Sequence, residues 1–322
     1  MNIQERIFRI STEAEFNQLA IELFQYQVEN NPVYSEYVKL TGREKPRNYR
    51  KIPFLPIEFF KSKKIITENE DFEMLFKSSG ITAQTRSLHY VKEKQLYIES
   101  FTRTFKHFFG DPKECVILAL LPNYIEQGNS SLVFMVDHLI RDTENSISRF
   151  ILNEPDSIVD LYHLGLSQKK KVIIFGVSYA LLDLAEQQID LSKAFIIETG
   201  GMKGRRSEIT KDELHQILKT GLGVNRICSE YGMTELLSQG YSIKDQIFET
   251  PPWMRILCRD MNDPFEILED DKTGGINVID LANIHSCPFI STQDLGKTYG
   301  NQFKIMGRFD QADIRGCNLM VE

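Results

Sequence analysis

Between residues 115 and 232 the chain alternates short, uninterrupted apolar runs with longer stretches of helical period, and this alternation limits the possible folds most strongly. The runs are CVILALL (115–121), KVIIFG (171–176), AFIIETG (194–200) and the strand-and-turn GVNRICSEYG (223–232). Between them lie SLVFMVDHLIRD, VSYALLDLAEQQ and KDELHQILKT, which read as helices. Apolar runs without polar alternation are strands buried on both faces, and strands separated by helices are joined by crossovers. The expected fold is α/β, with a parallel sheet covered by helices. In such sheets ligands sit beyond the carboxyl ends of the strands. Three polar loops occupy that position here: 122–130, 200–206 and 229–238.

The flanking segments read differently. Glu13–Asn30 places Phe16, Leu19, Ile21, Leu23 and Phe24 near helical spacing after a capping Ser11-Thr12. IPFLPIEFF (52–60) is apolar but carries Pro53 and Pro56, so the expectation is an extended docking segment rather than a helix. After about residue 245 the helical period fades. Short apolar runs broken by Pro, Gly and Asp (PPWMRILCRD, GGINVIDLAN, CPFISTQDLG, QFKIMGRFD) predict a smaller, mostly antiparallel β subdomain. The expected division is an α/β core over 1–245 and a β-rich subdomain over 246–322.

Composition narrows the class. The 42% hydrophobic and 26% charged content of the 322 residues is that of a soluble globular protein. The 21 Phe and 12 Tyr can furnish a large core or an apolar pocket. A net charge of −7, from 38 basic and 45 acidic residues, argues against a broad nucleic-acid surface while leaving room for a local phosphate site. No run is long enough to span a bilayer, and the first ten residues lack a signal core, so a cytoplasmic location is expected. The five cysteines are odd in number and form no CxxC, which points away from a disulfide framework and from a zinc site.

Four loops carry residues suited to chemistry. KSSGITAQTRS (77–87) gathers Ser78, Ser79, Gly80, Thr82, Thr85 and Arg86, which can offer N–H groups, hydroxyls and a cation to phosphate oxygens; the alternative is a surface turn. It lacks the GxxxxGKS pattern. SEYGMTELLSQG (229–240) sets Thr234 beside Glu235, a hydroxyl and a carboxylate able to hold Mg²⁺ against a phosphate, with Tyr231 available to stack on a base; the alternative is a capped helix start. STQDLGKTY (291–299) places Asp294 just past a strand, where it can accept from two vicinal hydroxyls or close an Asx turn. GRFD (307–310) pairs Arg308 with Asp310 after a strand, by itself the pattern of a surface ion pair or a turn. His138 follows Asp137 on a helix near Ser130 and Ser131, but no GxSxG elbow is present and a structural histidine is expected.

In this order, the loops resemble the motifs of the acyl-adenylate-forming superfamily of acyl-CoA synthetases, adenylation domains and luciferases. SSGITAQTR resembles its phosphate loop, IETGGMKGR its adenine segment, EYGMTE its aromatic–Gly–x–Thr–Glu motif, STQDLG its ribose motif and GRFDQADIRG its hinge. Within that superfamily FLPIEFFKS, LPNYIEQGNSSLVFM, SEYGMTELLSQGY and DIRGCNLM resemble the acyl-protein synthetases typified by the LuxE component of fatty acid reductase.

The resemblance implies an N-terminal adenylating core with no C-terminal lid domain, using ATP and Mg²⁺. It implies phosphates along Ser78–Arg86, adenine near Gly200, Gly201, Tyr231 and Gly232, and ribose on Asp294. Arg308 and Asp310 lie in the hinge, Mg²⁺ on Glu235 beside Thr234, and Cys317 is the acyl acceptor. It further implies a fatty or similar carboxylic acid as substrate and an acyl reductase or acyl carrier protein as partner. The other four cysteines lie in apolar runs and read as structural. The phosphate loop departs from the pattern: Ile81 and Ala83 stand where relatives usually carry a hydroxyl and a glycine. An acyl-CoA ligase, or an acyl-transfer or scaffold subunit without ATP chemistry, are the alternatives.

Overall fold

The computed structural model describes residues 2–67, 71–78, 86–122, 129–200 and 209–309. The amino-terminal part is helical: α1 (Ile3–Ile7), α2 (Glu13–Asn30) and α3 (Pro32–Thr41). Helix α2 starts where the sequence expects, in a capping box in which Thr12 Oγ1 accepts from the Glu15 amide and the Glu15 carboxylate accepts from the Thr12 amide. Of its expected apolar stripe, Phe16, Leu19, Leu23 and Phe24 are buried, while Ile21 is half-buried at the edge of the core. In IPFLPIEFF only the first part is extended: β1 (Leu55–Pro56) pairs parallel to a late strand, and the short helix α4 (Phe59–Ser62) begins before the segment ends. Both prolines precede Phe59, so neither obstructs that helix.

A two-stranded antiparallel pair, β2 (Met74–Lys77) and β3 (Leu88–Val91), precedes α5 (Lys94–Phe109). The predicted alternation then appears: β4 (Cys115–Leu120), α6 (Ser131–Asp142), β5 (Arg149–Phe150), α7 (Ile158–Ser167), β6 (Lys171–Val177), α8 (Ser178–Ala185), β7 (Phe195–Thr199), α9 (Lys211–Gly221) and β8 (Cys228–Tyr231). Strands β5, β4, β6, β7 and β8 are neighbours in that order, all parallel. Every residue of β4 is buried, as expected for a strand covered on both faces.

The later strands are β9 (Gly240–Ser242), β10 (Phe248–Glu249), β11 (Met254–Arg259), β12 (Gly274–Asp280), β13 (Phe289–Tyr299) and β14 (Gln302–Arg308). They pair antiparallel, as their composition predicts, and extend the same sheet in the order β11-β12-β13-β14-β10-β9-β8. Among the described residues, twelve strands thus form one mixed sheet, with β1 attached to β13. No helix of the described residues is long and apolar enough to cross a membrane.

Candidate active site

The carboxyl end of β8 leads into the turn Gly232–Gln239, which is not helical. Of the two readings of this stretch, the helix start is therefore not what forms. Tyr231, the last residue of β8, is buried, with its ring edge-on to Phe303 and near Phe248. Its hydroxyl donates to Asp294 Oδ2 at 2.9 Å. Burial, reinforced by the Asp294 charge, holds that phenol protonated by raising its pKa well above the usual value.

Asp294 lies inside β13, not just past a strand, and closes no Asx turn. The reason is β14, which pairs alongside and carries the strand on to Tyr299, setting Asp294 opposite Arg308. The Arg308 Nε lies 3.1 Å from Asp294 Oδ1. Both carboxylate oxygens of Asp294 are thus engaged, one from β8 and one from β14.

Glu235 sits in the turn, 5% exposed. Burial raises its carboxyl pKa, opposed by a hydrogen bond with the Ser87 hydroxyl and by the charges of Arg308 and Lys61. Arg308 thus pairs with Asp294, and its charge also favours the ionised form of Glu235. The backbone beside Glu235 is fixed by two residues that carried no signal in the sequence. His89 Nδ1 lies 2.7 Å from the Thr234 carbonyl, and its Nε2 lies 3.0 Å from Asn283 Oδ1. Asn283 Nδ2 donates to the Glu235 and Cys287 carbonyls at 2.8 and 3.0 Å. That fixes Asn283 Oδ1 as an acceptor, so a neutral His89 can donate to only one of its two neighbours. Burial lowers the His89 pKa to about 4, against the pull of those two acceptors.

Ser78 and Ser87 meet each other beside this turn, Ser87 through its hydrogen bond with Glu235. The Ser78 amide donates to the Ser87 carbonyl at 3.1 Å and the Ser87 amide to Ser78 Oγ at 2.9 Å, pinching the base of the loop. Arg86 is exposed at that base. Gly200, at the end of β7, has a φ of 74°, a left-handed conformation suited to glycine. Its carbonyl oxygen lies 3.0 Å from Ser178 Oγ. The same hydroxyl donates to Glu198 Oε1 at 2.6 Å, and Lys211 Nζ contacts both Glu198 oxygens at 2.7 and 2.6 Å. Glu198, Ser178 and Lys211, which belong to no motif in the sequence, thus brace Gly200 at the end of β7. Ser79, Gly80, Thr82, Thr85, Gly201, Asp310 and Cys317 lie outside the described residues.

His138 takes no part in the cluster. Its Nε2 lies 3.5 Å from Asp142 Oδ1 and its ring rests near Phe101 and Phe134, while Ser130 Oγ caps α6 by accepting from the Val133 amide.

No family model matches the chain, and no curated protein matches it by sequence. Solved structures do. The open form of 2-hydroxyisobutyryl-CoA ligase, in complex with 2-HIB-AMP and CoA, superposes with a TM-score of 0.63 at 11% identity, over 94% of this chain and 72% of the other. ATP-bound MatB from Rhodopseudomonas palustris superposes at 0.54 and 17% identity, over 73% of this chain and 47% of MatB. A long-chain-fatty-acid-CoA ligase, FadD1 from Archaeoglobus fulgidus, superposes at 0.53 and 13% identity, over 79% and 55%. The match covers about half the length of the MatB and FadD1 chains. The chain has the fold of the N-terminal core of the acyl-adenylate-forming ligases.

Proposed function

We propose that this chain uses ATP to activate a carboxylic acid as its acyl-adenylate. The observation that carries the reading is the convergence of Tyr231, Asp294 and Arg308 at the carboxyl ends of β8 and β14, with Glu235 buried in the turn that follows β8. Asp294, held by Tyr231 and Arg308, accepts from the ribose hydroxyls. Adenine lies near Gly200, Gly201, Tyr231 and Gly232. Ser78, Ser79, Gly80, Thr82, Thr85 and Arg86 bind the phosphates, and Arg308 and Asp310 belong to the hinge. Residues 1–245 make the adenylating core and 246–322 a smaller β-rich subdomain.

The site fits Mg²⁺ held largely by substrate. Glu235, beside Thr234, offers one carboxylate, and among the described residues no group of three or more His, Cys, Asp or Glu converges on a metal. Mg²⁺ characteristically takes one or two protein carboxylates plus phosphate oxygens. When bound, the ion neutralises charge on the triphosphate.

The chemistry follows by positioning. An oxygen of the acid attacks the α-phosphorus, an O–P bond forms, and pyrophosphate leaves with the electron pair of the broken P–O bond. Arg308 and the loop donors stabilise the charge that develops. The Cys317 thiolate then attacks the acyl carbon, a thioester forms and AMP leaves. This second step follows the LuxE-like motifs, and an acyl reductase or carrier protein takes the acyl group onward from a cytoplasmic enzyme. The names of the superposed ligases support a second reading, in which CoA receives the acyl group.

The test is labelled acid with ATP and Mg²⁺. Label retained on wild-type protein and lost in Cys317→Ser supports transfer to the protein. Label released on adding CoA supports the second reading. Absence of ATP–pyrophosphate exchange with every acid, and in the presence of Mg²⁺, leaves a scaffold or acyl-transfer subunit and sinks the adenylation proposal.

A further inference from the structure

We infer that Asp280 is a positioning residue for Glu235, setting where that carboxylate stands by holding the backbone of Leu237 and Ser238. This rests on the reading of Glu235 as the Mg²⁺ carboxylate and adds a residue that acts through it.

Asp280 ends β12 and is wholly buried. Its Oδ2 accepts from the successive amides of Leu237 and Ser238, at 2.8 and 2.9 Å. Its Oδ1 accepts from the Ser238 hydroxyl at 2.6 Å and from the Ala282 amide at 3.2 Å. All four donors are neutral, so dipoles hold the carboxylate. Burial raises its pKa, and the Ser238, Leu237 and Ala282 donors oppose the rise. A buried carboxylate costs stability, and an apolar residue of similar volume fills a core as well. A hydrocarbon, however, has no acceptor with which to fix two consecutive amides.

The Ser238 hydroxyl carries the grip further. With its proton on Asp280, its oxygen accepts from Trp253 Nε1 and from Ser100 Oγ, each at 2.9 Å. Ser100 lies on α5, and Trp253 packs edge-on against Phe8 at the end of α1. The last part of the turn is thereby tied to elements other than β12.

Glu235 lies between two grips. On one side His89 and Asn283 meet the carbonyls of Thr234 and Glu235. On the other, Asp280 holds residues 237 and 238. Asp280 and Asn283 belong to one tight segment, closed by the Asn283 amide on the Asp280 carbonyl at 3.0 Å. One short stretch after β12 thus grips the turn on both sides of Glu235. Only Leu236 separates Glu235 from the amides that Asp280 holds. Releasing them lets the backbone at 236–238 rotate and carries the Glu235 carboxylate out of place.

The experiment measures Mg²⁺–ATP binding by calorimetry, and KM for Mg²⁺ and for the acid by ATP–pyrophosphate exchange. The proteins are wild type, Asp280→Ala, Ser238→Ala, Glu235→Gln, and each of the first two combined with Glu235→Gln. Melting temperatures check that they fold. Asp280→Ala should weaken Mg²⁺–ATP binding and raise KM for Mg²⁺ about 10- to 100-fold, the loss seen when a group orienting a metal ligand is removed. KM for the acid should not change. Ser238→Ala keeps both amides on Asp280 and should shift the same quantities about threefold, the loss of one hydrogen bond. In the Glu235→Gln background neither substitution should add more than about twofold. Wild-type Mg²⁺ affinity in Asp280→Ala, or a full shift that persists without the Glu235 carboxylate, overturns this inference and leaves adenylation standing. Where Asp280→Ala does not fold, an unshifted Ser238→Ala overturns it. Mg²⁺–ATP binding that depends on Asp280 through Glu235, with no exchange for any acid, overturns adenylation and leaves the positioning role. Neither binding nor exchange overturns both.

Discussion

Tyr231 and Asp294 lie 63 positions apart in the chain, yet the phenol donates to Asp294 Oδ2 at 2.9 Å while Arg308 engages the other oxygen. Strand β8 of the parallel half of the sheet is thereby tied to β13 of the antiparallel half, through a carboxylate proposed to hold ribose. Tyr231→Phe removes a buried hydrogen bond to a charged acceptor, which contributes about 1.5–3 kcal/mol. Urea denaturation should show a loss of that order; an unchanged midpoint would mean the bond adds nothing to stability.

Arg308 is 70% exposed at its side chain. Its ion pair with Asp294 should contribute less than about 1 kcal/mol to folding, because solvent screens exposed pairs. Its effect on function should be larger. Arg308→Ala and Asp294→Ala should each raise the KM for ATP roughly tenfold or more, the loss of one charged contact. Glu235→Gln should lower kcat for exchange by at least about a hundredfold, as expected for a lost charge-positioning group. Steady-state kinetics with saturating acid decide this.

Glu230 gives a pH signature. Its carboxyl is raised from 4.5 to about 7 by burial. Below pH 4.5 the group is protonated in both states, and its favourable contribution is fully present. Between pH 4.5 and about 7 the unfolded chain releases the proton first, so stability falls across that window. The loss is on the order of 3 kcal/mol. Glu230→Gln should flatten the stability curve between those pH values and be the more stable protein at pH 8. Equal pH profiles for the two proteins would refute the buried, uncompensated carboxyl.

Asn283 donates to the carbonyls of Glu235 and Cys287 and receives His89. Asn283→Ala leaves several buried groups unpaired, at about 1–3 kcal/mol for each one left unsatisfied. The variant should melt earlier and also show a raised KM for Mg²⁺, because the Glu235 backbone is no longer held. His89 adds a separate acid limit. Its folded pKa is depressed to about 4 by burial, so its contribution is present above pH 6.5 and is lost as pH falls from 6.5 toward 4. Denaturation of His89→Gln across that range should lack this fall.

Cys115, Cys228, Cys258 and Cys287 are buried. Burial pushes the thiols of Cys115 and Cys228 up to about 11 and that of Cys287 to about 12, and raises Cys258 as well. Thiols so placed are inert to alkylation. Iodoacetamide at pH 7.5 should leave these four thiols unmodified in the native protein and alkylate all five cysteines after denaturation. Mass spectrometry finding Cys115 or Cys228 modified in the native state would contradict the burial described.

The sequence by itself determined the elements whose signal is local. Cys115–Leu120, Lys171–Val177 and Phe195–Thr199 are strands because uninterrupted apolar runs suit only positions covered on both faces, and Thr12 with Glu15 starts α2 through a cap spanning four residues. It also gathered Tyr231, Glu235, Asp294 and Arg308 as one set of candidates through their motifs. Only the tertiary structure decided that Asp294 sits within a strand, that Arg308 pairs with it, and that His89 and Asn283, 194 positions apart, hold the turn. Those outcomes depend on which strands become neighbours. Strand order is set by the packing of the whole chain, and the few residues around each site carry no record of it.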